Sequence, residues 1–294
     1  MQIVRIINNI LNHPFNKGHQ IKALRKFFFW QFRNFFTKKP IVYQFTGRSK
    51  LIIYPGMKGA TGNIYNGLSD FEEMGFLLHY LDEHDLFLDV GANVGAYTIL
   101  VAVECGSSVI SIEPIPKTFS YLNDNIKINN VGHLIQTFNV GVAAFNGVLN
   151  FSVENDTMNR VVLDSQFIGE TQKIEVVKLS EILLSKVPSV IKIDVEGYEY
   201  DILKASQEIL TNSNLNVLII ETNDLSETYD ICTDELLSLI KQCGFNSVAY
   251  DPYIRAVNYC APKKNGNTIF IKDLNLVKKK ISVNKRTLID GRYI

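Results

Sequence analysis

Residues 86–95, LFLDVGANVG, decide the fold. Four of the first five side chains are apolar, the pattern of a parallel strand buried on both faces, and Gly91 and Gly95 follow at once. Glycine lets the backbone turn sharply out of such a strand. The next helix is expected to start near Gly95, with Tyr97, Leu100 and Val101 on its inner face. Strand, glycine loop and helix N-terminus together make the nucleotide-binding corner of a doubly wound α/β sheet. A second apolar strand, VISIEP, follows and ends at Glu113. A carboxylate there can accept hydrogen bonds from ribose hydroxyls, its role in dinucleotide folds. Two glycines alone fit many tight turns, and it is Glu113 at this spacing that makes the corner read as a cofactor site. Asn93 stands where the pattern G-x-G-x-x-G needs its middle glycine, which weighs against NAD.

The chain has 294 residues, enough for one large α/β domain with an appendage. Its formal net charge of zero is a cancellation. Before Asp70, the first carboxylate, there are 11 Lys and Arg and no acid; from Asp70 onward 19 basic residues face 30 acidic ones, a net of −11. The N-terminal part is therefore expected to face something anionic or to dock on the acidic part. An acidic catalytic part makes nucleic acid a poor partner. Cys105, Cys232, Cys243 and Cys260 lack metal-site spacing and read as free thiols of a reducing compartment. The opening MQIVRIINNI, broken by Arg5, Asn8 and Asn9, has no apolar signal region, and no stretch has the length of a membrane span. The expected location is cytoplasmic, with peripheral membrane contact as the variant.

That variant comes from residues 20–39, dense in aromatic and basic side chains. At about 100° per residue, Lys22, Lys26 and Arg33 share one face while Ile21, Leu24, Phe28, Phe32 and Phe35 lie on the far side. The favoured expectation is that this stripe packs on the rest of the chain or on a second subunit, giving a homodimer; an anionic membrane surface is the alternative. Residues 41–45 and 51–54 read as a hairpin, and the glycine-rich 55–67 as a cover or edge loop without the G-K-[ST] of a phosphate loop. Ser69 with Glu72 reads as a capping box for the following helix. These boundaries divide the chain into an appendage (1–68), an α/β domain (69–274) and a basic, loose C-terminal tail (275–294).

Within 69–274, strands alternate with helices, as a mostly parallel sheet with helices on both faces requires. Pro116 suits the first turn of a helix, residues 147–177 read as antiparallel decoration, and Ser180 and Thr233 as helix caps. In IKIDVEGYE, Lys192 lies mid-strand, where an unpaired charge is costly. Asp194 ends that strand at the edge where open α/β sheets bind ligands. Period two puts the two side chains on one face, as a site or as a structural ion pair. Glu196 and Glu199 begin the next helix, with charge complementarity to its N-terminus as the rival role. Glu221 and Asn223 follow the next strand and, with Asp194, make an oxygen-rich set of the kind Mg²⁺ or Ca²⁺ takes; no metal is assigned.

The succession DVGANVGAYT, VISIEP, IKIDVEGYEYDIL and LIIET, over about residues 71–223, resembles the FkbM family of S-adenosylmethionine-dependent methyltransferases. The resemblance implies a class I methyltransferase (Rossmann-like) sheet of seven strands, the last antiparallel. It further implies that Asp89, Gly91, Asn93 and Gly95 line the methionine part of S-adenosyl-L-methionine, that Glu113 holds the ribose, and that Asn139 lies near the adenine. The function implied is O-methyl transfer to a hydroxyl of a sugar, glycan or secondary metabolite, with Asp194 as base, Lys192 tuning it and Glu196 beside them. The rivals are a catalytically inactive cofactor-binding module that docks through its basic helix, and a nicotinamide dehydrogenase, which Asn93 disfavours.

Overall fold

A computed structural model describes residues 2–55, 57–153, 160–162, 167, 169–222, 233–283 and 286–294. The N-terminal part is α1 (Gln2–Asn12), α2 (Gln20–Phe36), the hairpin β1 (Ile41–Gln44) and β2 (Lys50–Ile53), and α3 (Lys58–Asn66). Then come α4 (Phe71–Tyr80), β3 (Leu86–Val90), α5 (Ala96–Leu100), β4 (Ser108–Ile112), α6 (Pro116–Asn129) and β5 (Ile135–Phe138). A small sheet of β6 (Gly141–Val142), β7 (Gly147–Ser152) and β8 (Thr171–Val177) precedes α7 (Leu179–Leu183) and β9 (Val190–Ile193). The chain continues through α8 (Glu199–Ala205), α9 (Gln207–Thr211), β10 (Val217–Glu221), α10 (Thr233–Gln242), β11 (Asn246–Asp251), β12 (Ala256–Tyr259) and β13 (Asn267–Ile271). It closes with α11 (Leu274–Ile281), β14 (Leu288–Ile289) and β15 (Arg292–Tyr293).

The main sheet has the order β12-β11-β13-β10-β9-β3-β4-β5. Strands β10, β9, β3, β4 and β5 are parallel, and β13 runs antiparallel to both its neighbours. Seven of these strands form the expected sheet; β12, which pairs antiparallel with β11, adds an eighth at the edge. Period two sorts the strand side chains into two layers. Phe87, Val109, Val190, Val217 and Ile219 join the core that includes the N-terminal part. Leu88, Ile110, Ile191, Leu218 and Ile220 join the core under α7, α8 and α10.

Several expectations change. The glycine-rich 55–67 is largely helix α3, which buries Ala60, Ile64 and Tyr65 where a cover loop was expected. Its apolar positions outweigh the glycine penalty through burial. Asp70, not Ser69, is the N-cap of α4, and it makes no side-chain cap bond. Helix α7 starts at Leu179 with Lys178 at its N-cap, so Ser180 lies inside the first turn. Thr233 is the first described residue of α10, and the residues before it, Cys232 included, lie outside the described residues. The tail is not loose. Asp273 caps α11 by accepting from the amides of Asn275 and Leu276, and Val277, Ile281, Ile289 and Ile294 are buried. Asp290 pairs with Lys22 at 3.0 Å and Lys26 at 2.7 Å, tying the tail to α2. Residues of all three sequence segments, Phe45, Leu77 and Ile281 among them, share one core.

The face that α2 buries also differs. Ala23, Phe27 and Trp30, at i, i+4 and i+7, point inward, and Phe27 packs edge-on against Tyr65 of α3. Of the expected stripe only Leu24 packs against the core; Ile21, Phe28, Phe32 and Phe35 are exposed and do not pack on the rest of the described chain. One helix holds two aromatic faces, and among the described residues only the one facing α3 is covered. Among the described residues no helix is long and apolar enough to cross a membrane.

These faces separate in a denaturation experiment. Trp30→Ala, which empties a buried site, should cost about 3–5 kcal/mol of stability, whereas Phe35→Ala should stay within about 0.5 kcal/mol. Equal losses from both would mean that the buried face has been misassigned.

Candidate active site

Glycine geometry sets the corner. Gly91 and Gly95 have φ of +78° and +87°, and a Cβ on Gly91 would lie 1.9 Å from the carbonyl oxygen of Asp194. Only glycine lets the loop after β3 pass this close to the end of β9. Asn93 also takes the left-handed conformation, φ 53°, and its side chain accepts from the amide of Val94. Asparagine tolerates that region better than most side chains.

Glu113, at the end of β4, closes the loop from the other side. Its Oε2 accepts from the Asn93 amide and its Oε1 from the Ile115 amide, each at 3.0 Å. Burial pushes its carboxyl up to about 7, against the pull of the two amides. A carboxylate has about four acceptor positions, so both oxygens retain capacity for a diol. Asn139 is exposed and is not in the cavity wall; its amide donates to the carbonyls of Glu113 (2.9 Å) and Pro114 (3.0 Å), which anchors the turn that carries Glu113.

At the carboxyl ends of β3 and β9 lies a polar layer inside the sheet. Asp89 and Lys192 are cross-strand partners. The Lys192 ammonium is buried, donates to Asp194 Oδ2 at 2.8 Å and stands 4.8 Å from the centroid of the Tyr97 ring. Desolvation by burial lowers its pKa, but the carboxylates of Asp194 and Asp89 outweigh that and the net shift is upward. Asp89 Oδ2 accepts from Thr98 at 2.7 Å, while its Oδ1 is buried without a hydrogen-bond partner. Tyr97 donates to Asp70 Oδ2 at 2.8 Å. Burial raises the pKa of Asp70, partly offset by this bond. The place of Asp70 in this layer is not legible in the sequence, because Asp70 and Tyr97 are remote along the chain and only packing of α4 against α5 joins them. Its one signal is position, as the first acid of the chain.

The turn after β9 is held by its own strain and its own clamp. Glu196 is left-handed at φ 60° and Gly197 follows at φ 105°. Buried Glu199 folds back so that Oε1 accepts from the amides of Val195 (3.0 Å) and Gly197 (3.3 Å), which is a structural role. Burial raises Glu199 and Glu196 to about 7 and Glu221 to about 9, the last also through Asp194 and Glu196. One oxygen from each of Asp194, Glu196 and Glu221 lies within 4.8 Å of the others. This oxygen set has the chemistry that Mg²⁺ or Ca²⁺ accepts. Glu196 belongs to it, and Asn223, suggested by sequence, lies outside the described residues.

The loop, Glu113, Lys192 and the three carboxylates line one cavity of about 420 Å³, together with Gly62 of α3, Tyr97, Val142 and Phe151. That volume suits a small-molecule site. A seven-stranded core sheet with one antiparallel strand, carrying a glycine corner and a ribose-type carboxylate, defines the class I methyltransferase fold. Residues 89–247 match the family model described as the methyltransferase FkbM domain, more than half of the chain, and the chain belongs to the FkbM methyltransferase family.

Among relatives, the hexuronic acid methyltransferase AglP of Haloferax volcanii is 28% identical over 149 residues, covering 49% of this chain and 59% of AglP. Methyltransferase 1 of Beauveria bassiana is 25% identical over 146 residues, 42% of this chain and 58% of that protein. The chain thus spans less than two thirds of the length of either. Among solved structures, methyltransferase FkbM from Methylobacillus flagellatus has a TM-score of 0.42 at 18% identity, over 64% of this chain and 43% of the other. TYW2 of M. jannaschii, solved with AdoMet, has a TM-score of 0.44 at 14% identity over 81% and 88%.

Burial of Glu199 makes a pH prediction. Its carboxyl rises from 4.5 to about 7 on folding, so its protonated form is favoured in the native state. Its contribution to stability is full below about pH 4.5 and is lost as the pH rises through about 7. Glu199→Gln keeps the acceptor oxygen and removes the titration. Denaturation at pH 5 and pH 8 should show the wild type losing about 1–3 kcal/mol more than the variant over this interval; equal losses would show that Glu199 ionises in the native state as it does in the unfolded chain.

Proposed function

We propose that this chain is an S-adenosyl-L-methionine-dependent O-methyltransferase that acts on a hydroxyl of a sugar, glycan or secondary metabolite. The observation that carries the reading is that one cavity joins the glycine corner and Glu113 to the Lys192–Asp194 pair. The corner fits the cofactor. Gly91 and Asn93 of the loop line the cavity, whereas Gly95 packs against Leu122 behind it; both Glu113 oxygens can take further donors, and Asp89 Oδ1 is a buried acceptor without a partner. Asp89, Gly91, Asn93 and Glu113 would hold it, with Asn139 bracing Glu113 from the rim. When bound, S-adenosylmethionine supplies a methyl group already activated as a sulfonium.

What remains for the protein is to place an acceptor oxygen in line and remove its proton, since a neutral hydroxyl is a weak nucleophile. Asp194 is the proposed base. Lys192 orients it by holding one of its oxygens, leaving the other for the acceptor proton. Glu196 and Glu221 supply acceptors that suit a substrate rich in hydroxyl donors, consistent with the sugar substrate named for AglP. A cofactor-binding module without catalysis has no use for a buried ion pair aimed at the ligand edge, which favours the enzyme reading.

Calorimetry should find binding of S-adenosylmethionine and none of NAD; the reverse result would overturn the reading. Glu113→Ala should weaken the cofactor by about 1–3 kcal/mol through loss of hydrogen bonds to a buried carboxylate. Labelled methyl transfer, assayed over neutral sugars, uronic acids and lipid-linked glycans, gives the acceptor. On that acceptor, Asp194→Asn should reduce turnover about 10²- to 10⁴-fold with cofactor affinity nearly intact. A parallel fall in both would assign Asp194 to the cofactor site. Activity that survives Asp194→Asn but is lost to a chelator would shift the chemistry to a cation held by Glu196 and Glu221.

A further inference from the structure

Helix α2 carries an aromatic ridge that nothing among the described residues covers. Phe29, Phe32, Phe35 and Phe36 are 70%, 65%, 83% and 68% exposed, and Phe28 and Ile21 join them on the outward side. Three of the rings pack on one another, Phe32 to Phe36 at 4.8 Å and Phe35 to Phe36 at 5.2 Å between centroids, and form one exposed cluster, with Phe29 one turn before Phe32. A patch of this kind on a globular domain marks an interaction surface. The helix is fixed underneath by Ala23, Phe27 and Trp30 and clamped by Asp290, so the ridge is presented on a rigid support.

Charge selects the occupant. Lys22 and Lys26 are taken up by Asp290 and Arg48 by Glu104, but among the described residues no carboxylate pairs with Arg25, Lys38 or Lys39. Arg25 lies on the ridge itself, one turn from Ile21 and from Phe29, and the two lysines sit just past its end; all three are exposed. Upstream of Asp70 the sequence offers no acid to offset them. A second copy seated on this ridge by two-fold symmetry would bring the same unpaired cations face to face, which opposes the contact. An anionic bilayer answers both halves of the surface. Phenyl rings enter the boundary between headgroups and acyl chains while Arg and Lys remain at headgroup level.

We infer that α2 is an interfacial helix that docks this protein on anionic lipid bilayers through Phe29, Phe32, Phe35 and Phe36, with Arg25, Lys38 and Lys39 as its headgroup contacts. Because α2 packs on α3, which contributes Gly62 to the cavity wall, docking places the cavity in a molecule held at the membrane, where lipid-linked acceptors are concentrated. The docking stands on the surface of α2 and is independent of the methyl-transfer reading.

The test is co-sedimentation of the full chain with phosphatidylcholine vesicles with and without phosphatidylglycerol, alongside analytical ultracentrifugation without lipid. The wild type should bind the anionic vesicles at least about tenfold more tightly than the neutral ones, with binding weakened by salt. The triple variant Phe29→Ser, Phe32→Ser, Phe35→Ser should keep its fold and cofactor affinity and lose the vesicles. The triple variant Arg25→Glu, Lys38→Glu, Lys39→Glu should lose the preference for phosphatidylglycerol. Absence of vesicle binding by the wild type, or binding unchanged in the serine variant, overturns the proposal. So does a lipid-free dimer that the serine variant converts to monomer, which would make the ridge a contact between copies.

Discussion

A buried ammonium governs the ligand edge of this protein. Lys192 sits in the middle strand of a parallel sheet, where a cation without partners would be costly. Its needs gather Asp89 from β3, Asp194 from the end of β9 and the ring of Tyr97 from α5 around one point. Each partner is then bound in turn. Asp89 takes the Thr98 hydroxyl and Tyr97 gives its own to Asp70. A sheet edge, helix α5 and the residue that opens α4 are thereby held in register by a polar network that works only when complete.

Backbone closeness makes that network possible. The loop at Gly91 lies against the Asp194 carbonyl at a distance that no side chain permits, so the glycine corner and the end of β9 form one surface. On the far side of the loop, Glu113 ties Asn93 to Ile115, which makes it a brace of the loop geometry. Beyond Asp194, the strained Glu196 and the clamp of Glu199 hold a turn whose carboxylates crowd one another. Burial and crowding raise the pKa of both Glu221 and Glu196.

The termini complete the molecule and do not merely decorate it. Asp290 and Lys22 stand near opposite ends of the sequence, yet their pairing seals α2 against the tail. The acidic remainder of the chain thus neutralises part of the basic N-terminal segment, while Arg25 on α2 and Lys38 and Lys39 beyond its end have no carboxylate partner among the described residues.

The order of strands and helices, the glycine corner with Glu113, and the shared face of Lys192 and Asp194 were all determined by the sequence itself, because each rests on a local period or a short spacing. Family membership followed from the same motifs, each of them a short run of adjacent residues. Tertiary structure alone decided the rest. Phe27 and Phe28 are neighbours with equal hydrophobicity, yet one is buried against Tyr65 and the other faces outward, since the choice depends on where α3 lies. Asp70 is an ordinary helix-capping type until packing turns it to Tyr97, and Glu196 reads as a helix start until its backbone turns left-handed beside Asp194 and Glu221. Local pattern specifies which elements form, whereas burial and charge pairing between distant segments are properties of the assembled core.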